Sequence, residues 1–252
     1  MENASVISLS GKTALVTGAA KRLGRATALT LAHEGVNVVL HCRTSAKAAE
    51  ELADAIRALD VKAWTLTADL ASPGAAQSLV ERALDMAGPL DFLINNASVF
   101  PPSGMADVSV ESVHASVDLN ALAPFLAARR FAEQRRDGAI INFLDARIVD
   151  YDREHVAYHL SKRMLFELTR MMALEFAPAI RVNAVAPGLI LPPAGKDESY
   201  LASLAHTNPL NRYGGVDDVT SAVVFLLQSP FITGQVIFVD GGRHLRGNMY
   251  GC

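Results

Sequence analysis

Cysteine is almost absent from this chain. Its 252 residues include only Cys42 and Cys252, which leaves no disulfide framework and no paired-cysteine metal spacing, and fits a reducing cytoplasm. No metal is expected. An excess of either charge is missing too: 23 basic residues face 26 acidic ones, for a net charge of −3. With no long basic run or basic-aromatic stripe to follow a phosphate backbone, nucleic acid is not expected as a partner. Long apolar runs are equally scarce. The uncharged stretch from Ser221 to Val239 is interrupted by Gln228, Ser229, Pro230 and Gly234, so it reads as helix, turn and strand, and no membrane association is expected. Met1 to Ser10 lacks a positive segment followed by an apolar one; a short loose tail is expected there, not a secretory signal. Repeats, low-complexity tracts and linkers are also missing.

What is present is a large apolar fraction, half of all residues, with only 19% charged. A chain of this length and composition can bury an extensive core as one α/β domain spanning residues 1–252. Short β-branched runs at Thr13 to Thr17, Asn37 to His41, Ala63 to Thr67, Phe92 to Asn95, Ala139 to Leu144, Arg181 to Ala186 and Val236 to Val239 alternate with helical stretches. That alternation predicts a doubly wound, mainly parallel seven-stranded sheet covered by helices on both faces. Gly35 is expected to end the first helix, and Ser72-Pro73 to begin the third.

The first strand runs into Thr17-Gly18-Ala19-Ala20-Lys21-Arg22-Leu23-Gly24 and then a helix. Small residues there allow close backbone approach and the helix start offers free amides, as a nucleotide pyrophosphate requires. The second strand ends His41-Cys42-Arg43-Thr44-Ser45, with no acidic residue to bond a ribose diol. His41, Arg43, Thr44 and Ser45 are instead read as holding a ribose phosphate, which favours NADPH over NADH.

Tyr158-His159-Leu160-Ser161-Lys162 places a phenol and an ammonium at i and i+4, about 5 to 6 Å apart at Cβ on one helix face. The cation is expected to lower the phenol pKa from its reference of about 10, fitting it for general acid work. Asp145, 13 residues upstream at a strand end, puts a carboxylate where it can orient the proton transfer.

In order along nearly the whole chain, Thr17-Gly18-x-x-x-Arg22-x-Gly24, Asp69, Asn95-Asn96-Ala97, Asn120, Tyr158-x-x-x-Lys162 and Pro187-Gly188 resemble the classical short-chain dehydrogenase/reductases, with their Rossmann-type fold. Three departures from the common pattern resemble the pteridine reductases and bacterial dihydromonapterin reductases. Arg22 replaces the middle glycine of TGxxxGxG, Asn96-Ala97-Ser98-Val99-Phe100 replaces NNAG, and Asp145 replaces serine.

The resemblance implies a homotetramer that uses NADPH to reduce dihydrobiopterin, dihydromonapterin or dihydrofolate to the tetrahydro forms. It implies a cofactor site of Gly18, Lys21, Arg22, Leu23, Gly24, Asp69, Leu70, Asn96, Ala97, Ser98, Tyr158, Lys162, Pro187 and Gly188, together with the ribose-phosphate residues above. Arg22, Ser98, Phe100, Asp145 and Tyr158 would face the pterin, with Phe100 stacked on its ring. Tyr158 would donate the proton in concert with Asp145, Lys162 would hold the ribose, and Asn120 would hold a relay water. Leu189 to Arg212, long and interrupted by prolines, is expected to form the substrate lid. Ile190 stands where a hydroxyl often meets cofactor phosphate. The charged stretch Arg147 to His155 reads as a solvated loop or pocket rim, and the end at Gly241 to Arg246 resembles tails that reach a neighbouring subunit. A carbonyl reductase of the oxoacyl or polyol type, and an idle NADPH-binding sensor or scaffold, are the competing readings.

Overall fold

The structure, a computed structural model, describes residues 6–193 and 195–246. Cys252 and the first five residues of the expected tail lie outside them. The seven strands are β1 (Thr13–Val16), β2 (Asn37–Cys42), β3 (Ala63–Thr67), β4 (Phe92–Asn95), β5 (Gly138–Phe143), β6 (Ile180–Pro187) and β7 (Val236–Val239). They form one sheet in the order β3-β2-β1-β4-β5-β6-β7, and every pair is parallel. The helices are α1 (Arg22–His33), α2 (Ala46–Arg57), α3 (Ala75–Ala87), α4 (Val110–Val117), α5 (Ala123–Ala132), α6 (Val156–Glu175), α7 (Glu198–Leu204) and α8 (Val216–Gln228).

Alternation along each strand sends neighbouring side chains to opposite faces, and in the central strands β1, β4 and β5 both faces are buried. Val16, Val38 and Ile94 join one core with Leu31, Val223 and Leu226, whereas Leu15, Val39 and Leu93 join the other with Leu79, Val80 and Phe131. Strands buried on both sides therefore read as unbroken apolar runs. Each such side chain contributes about 1.5–3 kcal/mol through burial.

The order reverses between β1 and β4, and an open α/β sheet forms its ligand crevice at such a switch point, beyond the strand C-termini. The Thr17–Gly24 turn, the Asn96–Phe100 loop and Asp145 all leave the sheet at this edge.

Gly35, at φ +79, does close α1, its N–H bonding to the Ala32 carbonyl. The expected start of α3 is corrected: Gly74, left-handed at φ +75, is the cap residue, and Ser72 accepts the Ala75 amide through its backbone carbonyl. The lid segment is less irregular than its composition predicts. It contains α7, whose cap Asp197 accepts the Ser199 amide, followed by a 3-10 turn at Ala205–Thr207.

Candidate active site

The phosphate turn is pinned from below by side chains. The Thr17 hydroxyl donates to the Ile94 carbonyl and accepts the amides of Asn96 and Ala97, while Asn96 Nδ2 donates to the carbonyls of Thr17 and Gly18. Gly24 must lack a side chain, because a Cβ there would overlap the Gly18 carbonyl oxygen. Arg22, by contrast, adopts φ +54, a left-handed conformation that favours glycine. Its guanidinium reaches across to donate to the Pro192 carbonyl at 2.8 Å, so the strained residue ties the turn to the segment that follows Gly188.

Beyond this turn a cavity of about 240 Å³ is lined by Lys21, Arg43, Thr44, Ser45, Asp69 and Leu70, among others. Ser45 caps α2 without a side-chain hydrogen bond, and the first turn of that helix carries no acid. Exposed Arg43, a free hydroxyl and a helix N-terminus together suit a phosphate.

His41 does not join them as a charge. It is buried, its Nδ1 accepts the Gly18 amide at 3.2 Å and its Nε2 donates to the Ala68 carbonyl at 3.1 Å, which fixes the neutral tautomer. Burial lowers its pKa further. From β2, the ring braces two loops, at Gly18 and at Ala68.

A second cavity, of about 430 Å³, shares Gly18, Lys21, Ala97 and Ser98 with the first. It gathers Arg22, Leu23, Gly24, Asn96, Phe100, Asp145, Tyr158, Lys162, Pro187 and Gly188 around one space. Gly188 is required there because a Cβ would collide with Asp240. Ile190 is buried in the core, so this wall is apolar.

Asp145 caps a 3-10 turn at Ala146–Val149 by accepting the Arg147 amide on Oδ1, which leaves Oδ2 to accept the Tyr158 hydroxyl at 3.0 Å. Lys162 Nζ lies 5.8 Å from the Tyr158 ring centre and donates to the Phe143 carbonyl at 2.7 Å. The expected lowering of the phenol pKa is overturned. Burial, then the charge of Asp145 and its hydrogen bond, push Tyr158 well above its ordinary value. Burial lowers Lys162 to about 8, with Asp145 opposing. In this state Tyr158 keeps its proton.

Asn120 is also recast. It sits in a π-helical turn between α4 and α5, its Oδ1 accepting from the Ser98 hydroxyl and the Val99 amide, its Nδ2 donating to the Val99 carbonyl and Ser161. Both amide hydrogens and both oxygen lone pairs are used, so the side chain has none left for a relay water. It holds the Ser98 loop in place.

The Arg147 to His155 stretch is no solvated loop. Asp152 is buried at its centre, accepting from Arg147 at 2.6 Å, from His155 Nδ1 at 3.1 Å and from the amides of Glu154 and His155. Burial alone would raise the Asp152 carboxyl, but the Glu154 amide and the Arg147 cation outweigh it and hold the pKa below its ordinary value. Sequence reading reaches His155 only as the end of a possible pocket rim and does not name Ser103, which bonds to the Glu154, Val156 and Ala157 backbone beside it; no spacing signal marks either. Among the described residues no group of three or more His, Cys, Asp or Glu could hold a metal, and no helix is long and apolar enough to cross a membrane.

A crevice with a place for a 2′-phosphate, leading to a half-buried phenol beside a lysine, serves hydride chemistry: the chain is an NADP-dependent oxidoreductase. It belongs to the classical short-chain dehydrogenase/reductase family, and a family model described as enoyl-(acyl carrier protein) reductase matches residues 18–244. The crystal structure of FolM alternative dihydrofolate reductase 1 from Brucella canis, complexed with NADP, superposes with a TM-score of 0.88 at 32% identity, over 95% of this chain and 96% of that one. D-erythrulose reductase of Gallus gallus is 34% identical over 94% of this chain and 97% of its own length. 3beta-hydroxysteroid dehydrogenase 1 of Eggerthella lenta is 32% identical over 94% and 95%.

Proposed function

We propose that this chain reduces dihydropteridines, dihydrobiopterin, dihydromonapterin or dihydrofolate, with NADPH. The observation that carries the reading is the hydrogen bond from Tyr158 to Asp145. A ketone needs only a hydroxyl donor at its oxygen, whereas a ring C=N needs a proton delivered to nitrogen, and a carboxylate beside the phenol serves that delivery. Likeness to an alternative dihydrofolate reductase supports the same choice.

Gly18, Lys21, Leu23 and Gly24 would take the pyrophosphate, Arg43, Thr44 and Ser45 the 2′-phosphate, and Asp69 and Leu70 the adenine end. Asn96, Ala97, Ser98, Pro187 and Gly188 would border the nicotinamide half. When bound, NADPH supplies the hydride that adds to carbon. The protein does the rest. Burial and Asp145 keep Tyr158 protonated and poised; as a substrate nitrogen arrives, the O–H turns from Asp145 to it. Lys162, close to the ring, stabilises the phenolate left behind. Arg22 and Ser98 supply polar contacts at the pterin edge, and Phe100 a stacking face.

We also read the protein as a cytoplasmic homotetramer. Exposed Leu160, Met164, Met171 and Leu174 on α6 offer apolar surface for such packing. A carbonyl reductase is the second reading, favoured by the likeness to D-erythrulose reductase.

The deciding experiment measures NADPH oxidation with dihydrobiopterin, dihydromonapterin, dihydrofolate and an acetoacetyl thioester side by side. A dihydropteridine is expected to give the highest kcat/KM. Faster thioester reduction replaces this reading with the carbonyl reductase.

A further inference from the structure

Phe100 is 48% exposed and lines the larger cavity, yet one face of its ring is already taken. The imidazole of His155 stacks on it, centroid to centroid 3.8 Å at an interplanar angle of 14°. Tyr158 meets the same ring edge-on at 4.5 Å and 85°. Neither partner is free to drift. Asp152, itself clamped by Arg147, accepts from both the amide and Nδ1 of His155. On the other side, buried Ser103 stitches the Phe100 loop to the same turn: its amide donates to the Glu154 carbonyl, its carbonyl accepts the Val156 amide, and its hydroxyl accepts the Ala157 amide.

An exposed phenylalanine on a loop ordinarily samples several rotamers, and a ligand that stacks on it must first freeze one. Here the freezing is done before binding. We propose that His155, backed by Asp152, is a positioning residue that fixes Phe100 as a preformed platform, so that the site selects flat heteroaromatic substrates. The inference rests on the pteridine reading and extends it to a residue that does not line the cavity. A non-planar carbonyl compound, which cannot cover the open face of Phe100, gains little from this arrangement.

The test uses the full chain with His155→Ala and His155→Phe, the second restoring a flat ring without the bond to Asp152. Fluorescence titration of biopterin onto the NADP-loaded protein gives its Kd, and dihydrobiopterin turnover gives KM and kcat. His155→Ala is expected to raise both Kd and KM about 3- to 10-fold, the worth of one aromatic pair, with a smaller change in kcat and unchanged NADPH affinity. His155→Phe should recover part of the loss in both, falling between His155→Ala and the unsubstituted protein, because the flat ring returns without its anchor to Asp152. With Phe100→Ala already in place, His155→Ala should add almost nothing, because coupled residues are not additive. An unchanged Kd in His155→Ala, an equal loss in the Phe100→Ala background, or no rescue by phenylalanine at an unaltered Tm each overturns the proposal. If the unsubstituted protein reduces none of dihydrobiopterin, dihydromonapterin and dihydrofolate, the pteridine reading has failed and takes this one with it. Binding and reduction intact with an indifferent His155 defeats this one alone.

Discussion

The two lobes of the crevice are built by opposite means. In the cofactor lobe the shape is set by backbone: glycine at 18 and 24, amides pinned by Thr17 and carbonyls by Asn96, and a neutral His41 wedged under the turn. In the substrate lobe it is set by side chains, with Tyr158 on Asp145, Phe100 on His155, and Asp152 holding Arg147. A pyrophosphate is the same in every dinucleotide, so rigid amides suffice. Substrates differ, and side-chain constellations can be exchanged without disturbing the sheet. That division agrees with relatives of similar identity named for a folate, a sugar ketone and a steroid.

The sharpest break between the lobes is at Tyr158. Tyr158→Phe keeps the ring that packs edge-on against Phe100 but removes the donor, so turnover should fall about 10² to 10⁴-fold. Cofactor affinity should change little. Stopped-flow turnover together with NADPH titration checks both, and near-normal turnover would place the proton donor elsewhere. In the cofactor lobe the matching break is Arg43→Asp. A charge-assisted contact to phosphate is worth about 1.5–3 kcal/mol, so the ratio of kcat/KM for NADPH over NADH should drop at least about 10-fold. If the unsubstituted protein used both cofactors equally, Arg43 would have no phosphate to hold.

A smaller effect, but a more diagnostic one, is expected at Asp145. Asp145→Ser and Asp145→Asn should each lower dihydropterin turnover about 10-fold or more. The pH profile adds a second readout. Lys162 titrates near 8 because burial opposes its charge, and Asp145 is the group that raises it. Removing that negative charge lowers the Lys162 pKa, so its ammonium is lost at a lower pH. The alkaline limb of kcat/KM, expected near pH 8 in the original protein, should therefore move to more acid pH in Asp145→Asn. A limb that stays in place would detach Lys162 from the measured ionisation.

How much of this was legible in the sequence follows the same division. All seven strands fall within a residue or so of their expected bounds, since runs such as Asn37 to His41 are apolar on both faces and admit no other reading. The helix start at Gly74 was not, because Ser72-Pro73 supplies the usual capping chemistry and only the left-handed backbone at 74 decides. Short α7 lay hidden in a proline-interrupted stretch whose composition reads as loop. In the site, spacing placed Asp145, Tyr158 and Lys162 at one cavity. It could not weigh their environments. Burial and the Asp145 carboxylate raise Tyr158 against the opposing charge of Arg147, and burial turns His41 from a candidate phosphate ligand into a brace. His155 was read only as the end of a possible pocket rim for a related reason: Phe100, on which it stacks, comes from a different loop, and no local pattern announces a stack.

The smallest expected effect lies where the lobes meet, at Arg22. A left-handed residue other than glycine carries strain of about 1 kcal/mol or more, and the structure shows what accompanies it, the bond from the guanidinium to the Pro192 carbonyl. Arg22→Gly relieves the strain but adds chain freedom to the unfolded state, worth about 0.5–1 kcal/mol in the other direction. The two nearly cancel. Thermal unfolding should therefore shift by no more than about 2–4 °C, the change that 1 kcal/mol produces in a chain of this size. Gly24→Ala, two positions along, has no such compensation: its Cβ must displace the Gly18 carbonyl, and it should unfold at a distinctly lower temperature. While leaving stability nearly level, Arg22→Gly unties the turn from Pro192 and, on the pteridine reading, removes a cation from the substrate's edge, so the substrate KM should rise about 2- to 10-fold, as the loss of one largely exposed hydrogen bond implies. A large loss of Tm in Arg22→Gly would show that the arginine supports the turn itself. An unchanged KM would show that substrate binding does not depend on it.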